Sequence, residues 1–266
     1  MGDIGMTGRG RSVLVGLVGA LAVVGAWAVP ARAAAPDVIV YGDPTLRHAL
    51  LDVGARFTAQ TGVPVHVFVA PPTLILAQLR HQVWNDVVVT EAPWMDQAEQ
   101  AGVIEKGTRV GAWHNTLVIA QGTPPPAPVM TTAPAAHDIP AAHDIFAITD
   151  PTPAATFDSA AVMAALGLHP AQVQGVANTA EVAFLLDTGA AWQGLVHLTD
   201  VRADPKLSVA APVAPSAYAP IVYAAAISTL THSPNAHAFL DYLRSAAATE
   251  VLRADGLETV PPGTTP

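Results

Sequence analysis

From Asp37 onward, short runs of β-branched and aromatic residues alternate with stretches in which apolar residues recur every three or four positions. Val38-Ile39-Val40-Tyr41 predicts a strand, stopped by the turn signal Gly42-Asp43-Pro44. Thr45 then reads as the N-cap of a helix on which Leu46, Leu50, Val53 and Phe57 share a face, until Thr61-Gly62 closes it. Val65 to Val69 predicts a second strand, Pro71-Pro72-Thr73 a turn, and Leu74 to Gln82 a second helix. Val87-Val88-Val89 is a continuous apolar run of the kind buried on both faces of a sheet. The resulting β-α-β-α-β series is the signature of an α/β lobe.

A second series follows. Strand Thr116 to Ala120 leads into a proline-rich stretch at 121–145, where PAAHDI occurs twice in tandem, at 134–139 and 140–145. So short a repeat, rich in proline and alanine, buries no core and reads as an exposed loop insertion. His137 and His143, each followed by aspartate, belong to that loop, and no metal site is assigned to them. Beyond it the pattern predicts a strand at Phe146 to Ile148, a helix at Ser159 to Leu166 with Gly167 as its stop, and a helix at Glu181 to Leu186. Strands at Gly194 to His197, Lys206 to Val209 and Ile221 to Ala226 come next. Helices at His237 to Ala246 and Thr249 to Ala254 close the chain, with Gly256 as a C-cap. Two α/β lobes of this kind place ligands at the C-terminal ends of their strands.

The first 33 residues have a different pattern. Arg9 and Arg11 precede an apolar run from Val13 to Val29, and Ala31-Arg32-Ala33 offers a small-x-small cleavage site. The segment reads as an export signal, with a single spanning helix as the competing reading, and it predicts a periplasmic or extracytoplasmic protein. Charge and cysteine content then narrow the function. The chain carries a net charge of −9, and removal of residues 1–33 would make it more acidic still, which disfavours nucleic acid as a partner. With no cysteine, thiolate metal sites and thiol nucleophiles are excluded, and an exported chain must rely on core burial alone.

The order of local sequences resembles the periplasmic molybdate-binding proteins of ABC importers. The matching stretches include D-P-T-L-R-H-A-L at 43–50, F-T-A-Q-T-G-V-P-V at 57–65, N-D-V-V-V-T at 85–90, W-M-D at 94–96 and N-T-L-V-I-A at 115–120. They continue through T-D-P at 149–151, G-L-V-H-L-T-D at 194–200, P-I-V-Y at 220–223 and H-A-F-L-D-Y-L at 237–243. The resemblance implies an α/β, two-lobed type II periplasmic binding fold, each lobe a mostly parallel sheet flanked by helices, joined by two crossing hinge strands. It divides the chain into a signal peptide at 1–33, a first lobe at 34–115, a second lobe at 116–216 that contains the loop 121–145, and the rest of the first lobe at 217–266. It also implies a monomer that captures a small oxyanion such as molybdate or tungstate, without cofactor, and delivers it to an ABC permease. The alternatives are the same fold binding another small anion, or a sensor or partner-binding module without transport.

In that family neutral donors hold the anion, and the resemblance carries this role to Thr45, Thr73, Ala155, Thr156, Asn178, Thr179 and His197. Two of these positions depart from the family pattern. Ala70-Pro71-Pro72-Thr73 replaces a serine-rich turn and removes two backbone donors, and His197 stands where a tyrosine is expected. An enzyme is the minor alternative, with Thr45, Asp43 and His197 imaginable as nucleophile, carboxylate and base. The chain has no G-x-S-x-G elbow, no H-E-x-x-H and no phosphate-cradling glycine loop.

Overall fold

The computed structural model describes residues 36–122, 145–152, 155 and 157–259. The expected signal segment, His137, His143 and nearly all of the proline-rich insertion lie outside the described residues. Strands β1 (Val38–Gly42), β2 (Val65–Val69), β3 (Val87–Glu91) and β4 (Val110–Asn115) alternate with helices α1 (Arg47–Thr61), α2 (Pro72–Arg80) and α3 (Ala92–Gln100). Next come β5 (Leu117–Gly122), β6 (Ile145–Thr149), α4 (Ser159–Leu166), β7 (Gln172–Val176), α5 (Thr179–Asp187), β8 (Gln193–His197), α6 (Leu198–Ala203) and β9 (Leu207–Pro212). The chain ends with β10 (Ile221–Ile227), α7 (Ala236–Leu243), α8 (Ala246–Ala254) and β11 (Glu258–Thr259).

These strands form two sheets, in the orders β11-β4-β10-β3-β1-β2 and β7-β6-β8-β5-β9. The chain passes from the first sheet to the second at Thr116, between β4 and β5, and returns between β9 and β10. Tyr218, on the return segment, accepts a hydrogen bond through its hydroxyl from Leu117 N at 3.1 Å, so the two crossings are tied together. Each sheet is mixed. β1 pairs in parallel with β2 and β3, and β6 with β7 and β8. β10 and β5, whose strands adjoin the crossings, run antiparallel to both of their neighbours. A strand that enters a sheet directly from the other one has no crossover helix to reverse its direction, so it pairs antiparallel.

The valine run in β3 shows why the first sheet is buried on both faces. Val87 and Val89 pack with Leu50, Val53, Phe57 and Phe239, while Val88 faces Ile75, Leu79 and Met95. Successive side chains on a strand point to opposite faces, so three consecutive valines need helices on both sides. α1 ends at Gly62 with φ 75°, the left-handed C-cap that glycine adopts without steric cost. Among the described residues no helix is long and apolar enough to cross a membrane.

Several boundaries differ from those expected. Asp43, not Thr45, is the capping residue: its Oδ1 accepts from Thr45 N at 3.0 Å, and a 3-10 turn at Pro44–Leu46 precedes α1. A carboxylate two residues ahead reaches a free N–H that the Thr45 side chain, already inside the turn, cannot cap. α2 begins at Pro72, because a proline at the first helical position brings the right φ and needs no N–H partner. α5 begins at Thr179, two residues before the predicted Glu181.

Candidate ligand-binding cleft

A cavity of about 150 Å³ lies between the two sheets. From the first sheet's side it is lined by Asp43, Pro44, Thr45, Pro71 and Pro72, which follow the C-terminal ends of β1 and β2. From the second sheet's side come Thr149 at the end of β6, Thr152, Ala155 and Phe157 beyond it, and Ala177, Asn178 and Thr179 after β7. All four strands run parallel to a neighbour, so each sheet presents loops and helix N-termini to the same space. That is the arrangement expected at the carboxyl edge of a parallel sheet.

The lining mixes apolar residues with neutral polar ones and is not cationic. Four threonines, one asparagine and one aspartate face the cavity, and no lysine, arginine or histidine is among the lining residues. Asn178 caps α5: its Oδ1 accepts from Glu181 N at 3.0 Å, and Glu181 Oε2 reaches back to accept from Ala177 N at 3.0 Å. This reciprocal bonding fixes the turn that brings the N-terminal, positive dipole end of α5 to the cavity's border. Thr149 Oγ1 shares a 2.8 Å hydrogen bond with Ser159 Oγ, which holds the end of β6 against α4.

Behind this wall stands His197, only 1 % exposed and not among the lining residues. Its Nδ1 is 3.0 Å from Thr179 Oγ1, its backbone N–H donates to Asp200 Oδ2 at 3.0 Å, and its ring meets Phe157 edge-on at 5.8 Å. Its Nε2 is buried without a hydrogen-bond partner among the described residues. His197 therefore orients two residues of the wall. It makes no hydrogen bond to Thr45, so the imagined nucleophile and base are not joined.

Burial pushes the Asp43 carboxyl up from its ordinary value, while hydrogen bonds from the Thr45 N–H and hydroxyl hold it down in part. His197 also lowers it and Asp200 raises it. Tyr223, on β10, is fully buried nearby, and burial together with Asp43, Glu91 and Asp200 pushes its phenol well above its usual value, so it remains an O–H donor. Burial of Asp43 makes the stability of the fold depend on pH. The native carboxyl keeps its proton to higher pH than the unfolded one, near 3.9, so stability falls as pH rises from there through the native value and then levels off. Asp43→Asn keeps an uncharged cap acceptor and is expected to raise the melting temperature of the ligand-free protein at pH 8. Scans at pH 3.5 should show that gain vanish.

Of the positions carried over from the sequence, Thr45, Ala155, Asn178 and Thr179 line the cavity together. Thr73 does not: it is exposed in the first turn of α2, where Pro71 and Pro72 take the inward positions. Thr156 lies outside the described residues. Asp43, Thr149 and Thr152 were not expected to line a ligand cleft. The sequence offered one signal for two of them, a strand end followed by an acid-proline step, at Gly42-Asp43-Pro44 and Thr149-Asp150-Pro151.

The family model for bacterial extracellular solute-binding proteins matches residues 38–258, the two sheets and the cleft included. The chain belongs to that family. The fold of this solute-binding protein is similar to that of the Azotobacter vinelandii periplasmic molybdate-binding protein, at 19 % identity and a TM-score of 0.67, over 85 % of this chain and 100 % of the other. It is also similar to the substrate-binding domain of a putative molybdenum ABC transporter from Clostridium difficile, at 14 % identity and a TM-score of 0.64, over 85 % and 100 % of the two chains. PEB3 bound to L-phospholactate matches at 14 % identity and a TM-score of 0.58, over 84 % and 99 %. No curated protein sequence matches the chain significantly. The fold is that of type II periplasmic binding proteins.

Proposed function

We propose that this solute-binding protein captures a small oxyanion, of the size of molybdate, tungstate or phosphate, outside the cytoplasmic membrane and presents it to an ABC permease. The observation that carries this reading is the cleft lining: Thr45 from one sheet, and Thr149, Thr152, Asn178 and Thr179 at the start of α5 from the other, border a single space of about 150 Å³ that no cationic residue lines. A cavity well below the roughly 300–1,000 Å³ of sites for drug-sized ligands suits a compact ion. Neutral donors and the N-terminal end of α5 stabilise negative charge there without a counter-cation. The similarity to two proteins named for molybdate or molybdenum transport supports the same class of ligand.

In this reading, residues 34–115 with 217–266 and residues 116–216 act as two lobes. They close about Thr116 and the β9–β10 connection, and Thr45 and Thr179 are brought onto one ligand from opposite sides. Thermal unfolding with millimolar molybdate, tungstate, sulfate and phosphate tests it. A ligand present at 100 times its dissociation constant adds about 2.7 kcal/mol, so at least one oxyanion is expected to raise the melting temperature by several degrees. Absence of a rise with all four would overturn the oxyanion reading.

A further inference from the structure

The residue that least suits an anion cleft is Asp43. It is 4 % exposed and lines the cavity beside Thr45, and its Oδ1 is engaged by Thr45 N at 3.0 Å. The N–H and hydroxyl of Thr45 are the donors to this carboxyl, and each of its oxygens can accept more than one hydrogen bond. No cation lines the cavity to offset a carboxylate there. The charged and titratable groups around it are His197 and Asp200, from the end of β8 and the start of α6, and Tyr223 from β10. A carboxylate and a bare dianion in one small cavity repel each other strongly, because protein screens charge less than bulk water does. One proton between them turns that repulsion into a charge-assisted hydrogen bond.

Resting on the oxyanion reading above, we infer that the cleft binds its ligand together with one proton, held between the Asp43 carboxyl and a ligand oxygen. The ligand class follows from this. Oxyanions that carry a proton near neutral pH, of which hydrogen phosphate is the simplest, enter with the proton already in place. Fully deprotonated dianions such as sulfate and molybdate must take one from solvent, or find Asp43 already protonated. The raised Asp43 carboxyl agrees with this, since a group that holds its proton more tightly than usual is the one best able to lend it to a ligand. Asp43 is thus a specificity-determining residue that ranks oxyanions by protonation state as well as by size.

The test is a set of dissociation constants for sulfate, molybdate and phosphate between pH 7 and pH 9, on the wild-type protein and Asp43→Asn. For the wild type, sulfate and molybdate are expected to weaken about tenfold per pH unit, the slope of a single proton. Phosphate, present above neutral pH mainly as the singly protonated dianion, should weaken far less. In Asp43→Asn the amide donates to a dianion and cannot accept from a ligand hydroxyl through the same group, so the slope should vanish. The preference between sulfate and phosphate should move toward sulfate by tenfold or more. Titration calorimetry of the wild type in two buffers of different protonation enthalpy reads the proton directly and does not depend on the variant folding. About one proton taken up per sulfate, and none per phosphate, is expected. Equal slopes in the two proteins, or no proton uptake with sulfate, would overturn the inference while leaving the oxyanion reading intact. If no oxyanion bound either protein at any pH, both would fall.

Discussion

Asp86→Ala is expected to destabilise the protein by about 4 kcal/mol or more, a large share of the roughly 5–15 kcal/mol that holds a domain together. Asp86 has no exposed surface and collects four donors. Its Oδ2 accepts from Ile39 N at 2.8 Å, and its Oδ1 accepts from Thr231 Oγ1 at 2.8 Å, His232 N at 3.1 Å and Ser233 N at 3.2 Å. Its backbone is engaged as well, donating to Ile39 O and accepting from Ser228 N. One carboxylate thereby ties the start of β3 to β1 and to the segment that leaves β10, elements nearly 150 residues apart in sequence. Removing it strands several buried donors at about 1–3 kcal/mol each. Asp86→Asn should lose less: its oxygen can serve the three-donor side, and its amide meets the Ile39 N–H unfavourably. Urea unfolding midpoints of the three proteins check this. A loss below about 1 kcal/mol for the alanine variant would mean that water replaces the carboxylate. Asp86 lies outside the cleft lining, so the Asn85-Asp86 pair in the resemblance marks a structural tie and not a ligand contact.

How far the sequence foretold this structure depended on how each element is buried. β3 was legible because Val87, Val88 and Val89 face cores on both sides, and α4 because Asp158, Ser159 and Gly167 mark both of its ends. α3 was not foreseen. It carries Pro93 in its first turn and buries only Met95 and Ala98, too few residues to set a helical period. β7 was missed for a related reason: as an edge strand with Gln172, Val173 and Gln174 exposed, it has no alternation to read. β4 begins with Val110-Gly111, and Gly111 has φ 80°, which resembles a turn more than a strand.

The cleft divides along the same line. Thr45, Ala155, Asn178 and Thr179 were found through the resemblance, since they follow strand ends that keep the family's order. Asp43 passed for a turn former because aspartate before proline is a common turn signal, and nothing local distinguishes a solvated turn aspartate from one facing a cavity. Thr149 and Thr152 join Thr45 only through the packing of one sheet against the other, which local pattern does not encode.

Thr45→Val and Thr179→Val should separate ligand contact from structural support. Each residue lines the cleft from a different sheet, and each hydrogen bond lost to a buried anion costs about 1.5–3 kcal/mol, roughly tenfold to hundredfold in affinity. Both variants are therefore expected to bind the best-stabilising oxyanion of the four at least tenfold more weakly. Their ligand-free stabilities should differ. Thr45 is half-buried in the 3-10 turn at the cleft edge, and losing its hydroxyl's hydrogen bond to Asp43 is expected to cost about 0.5–1.5 kcal/mol. Thr179 is 3 % exposed and is the partner of His197 Nδ1, and His197 Nε2 is already unpaired. Its loss leaves Nδ1 with only the 3.7 Å contact to Asp200 Oδ2 and should cost about 1–3 kcal/mol. Calorimetric titration and ligand-free melting curves on the two variants read the two effects independently. If Thr45→Val bound as tightly as the wild type, the first sheet's hydroxyl would play no part in holding the ligand, and closure of two lobes onto one ion would lose its main chemical support.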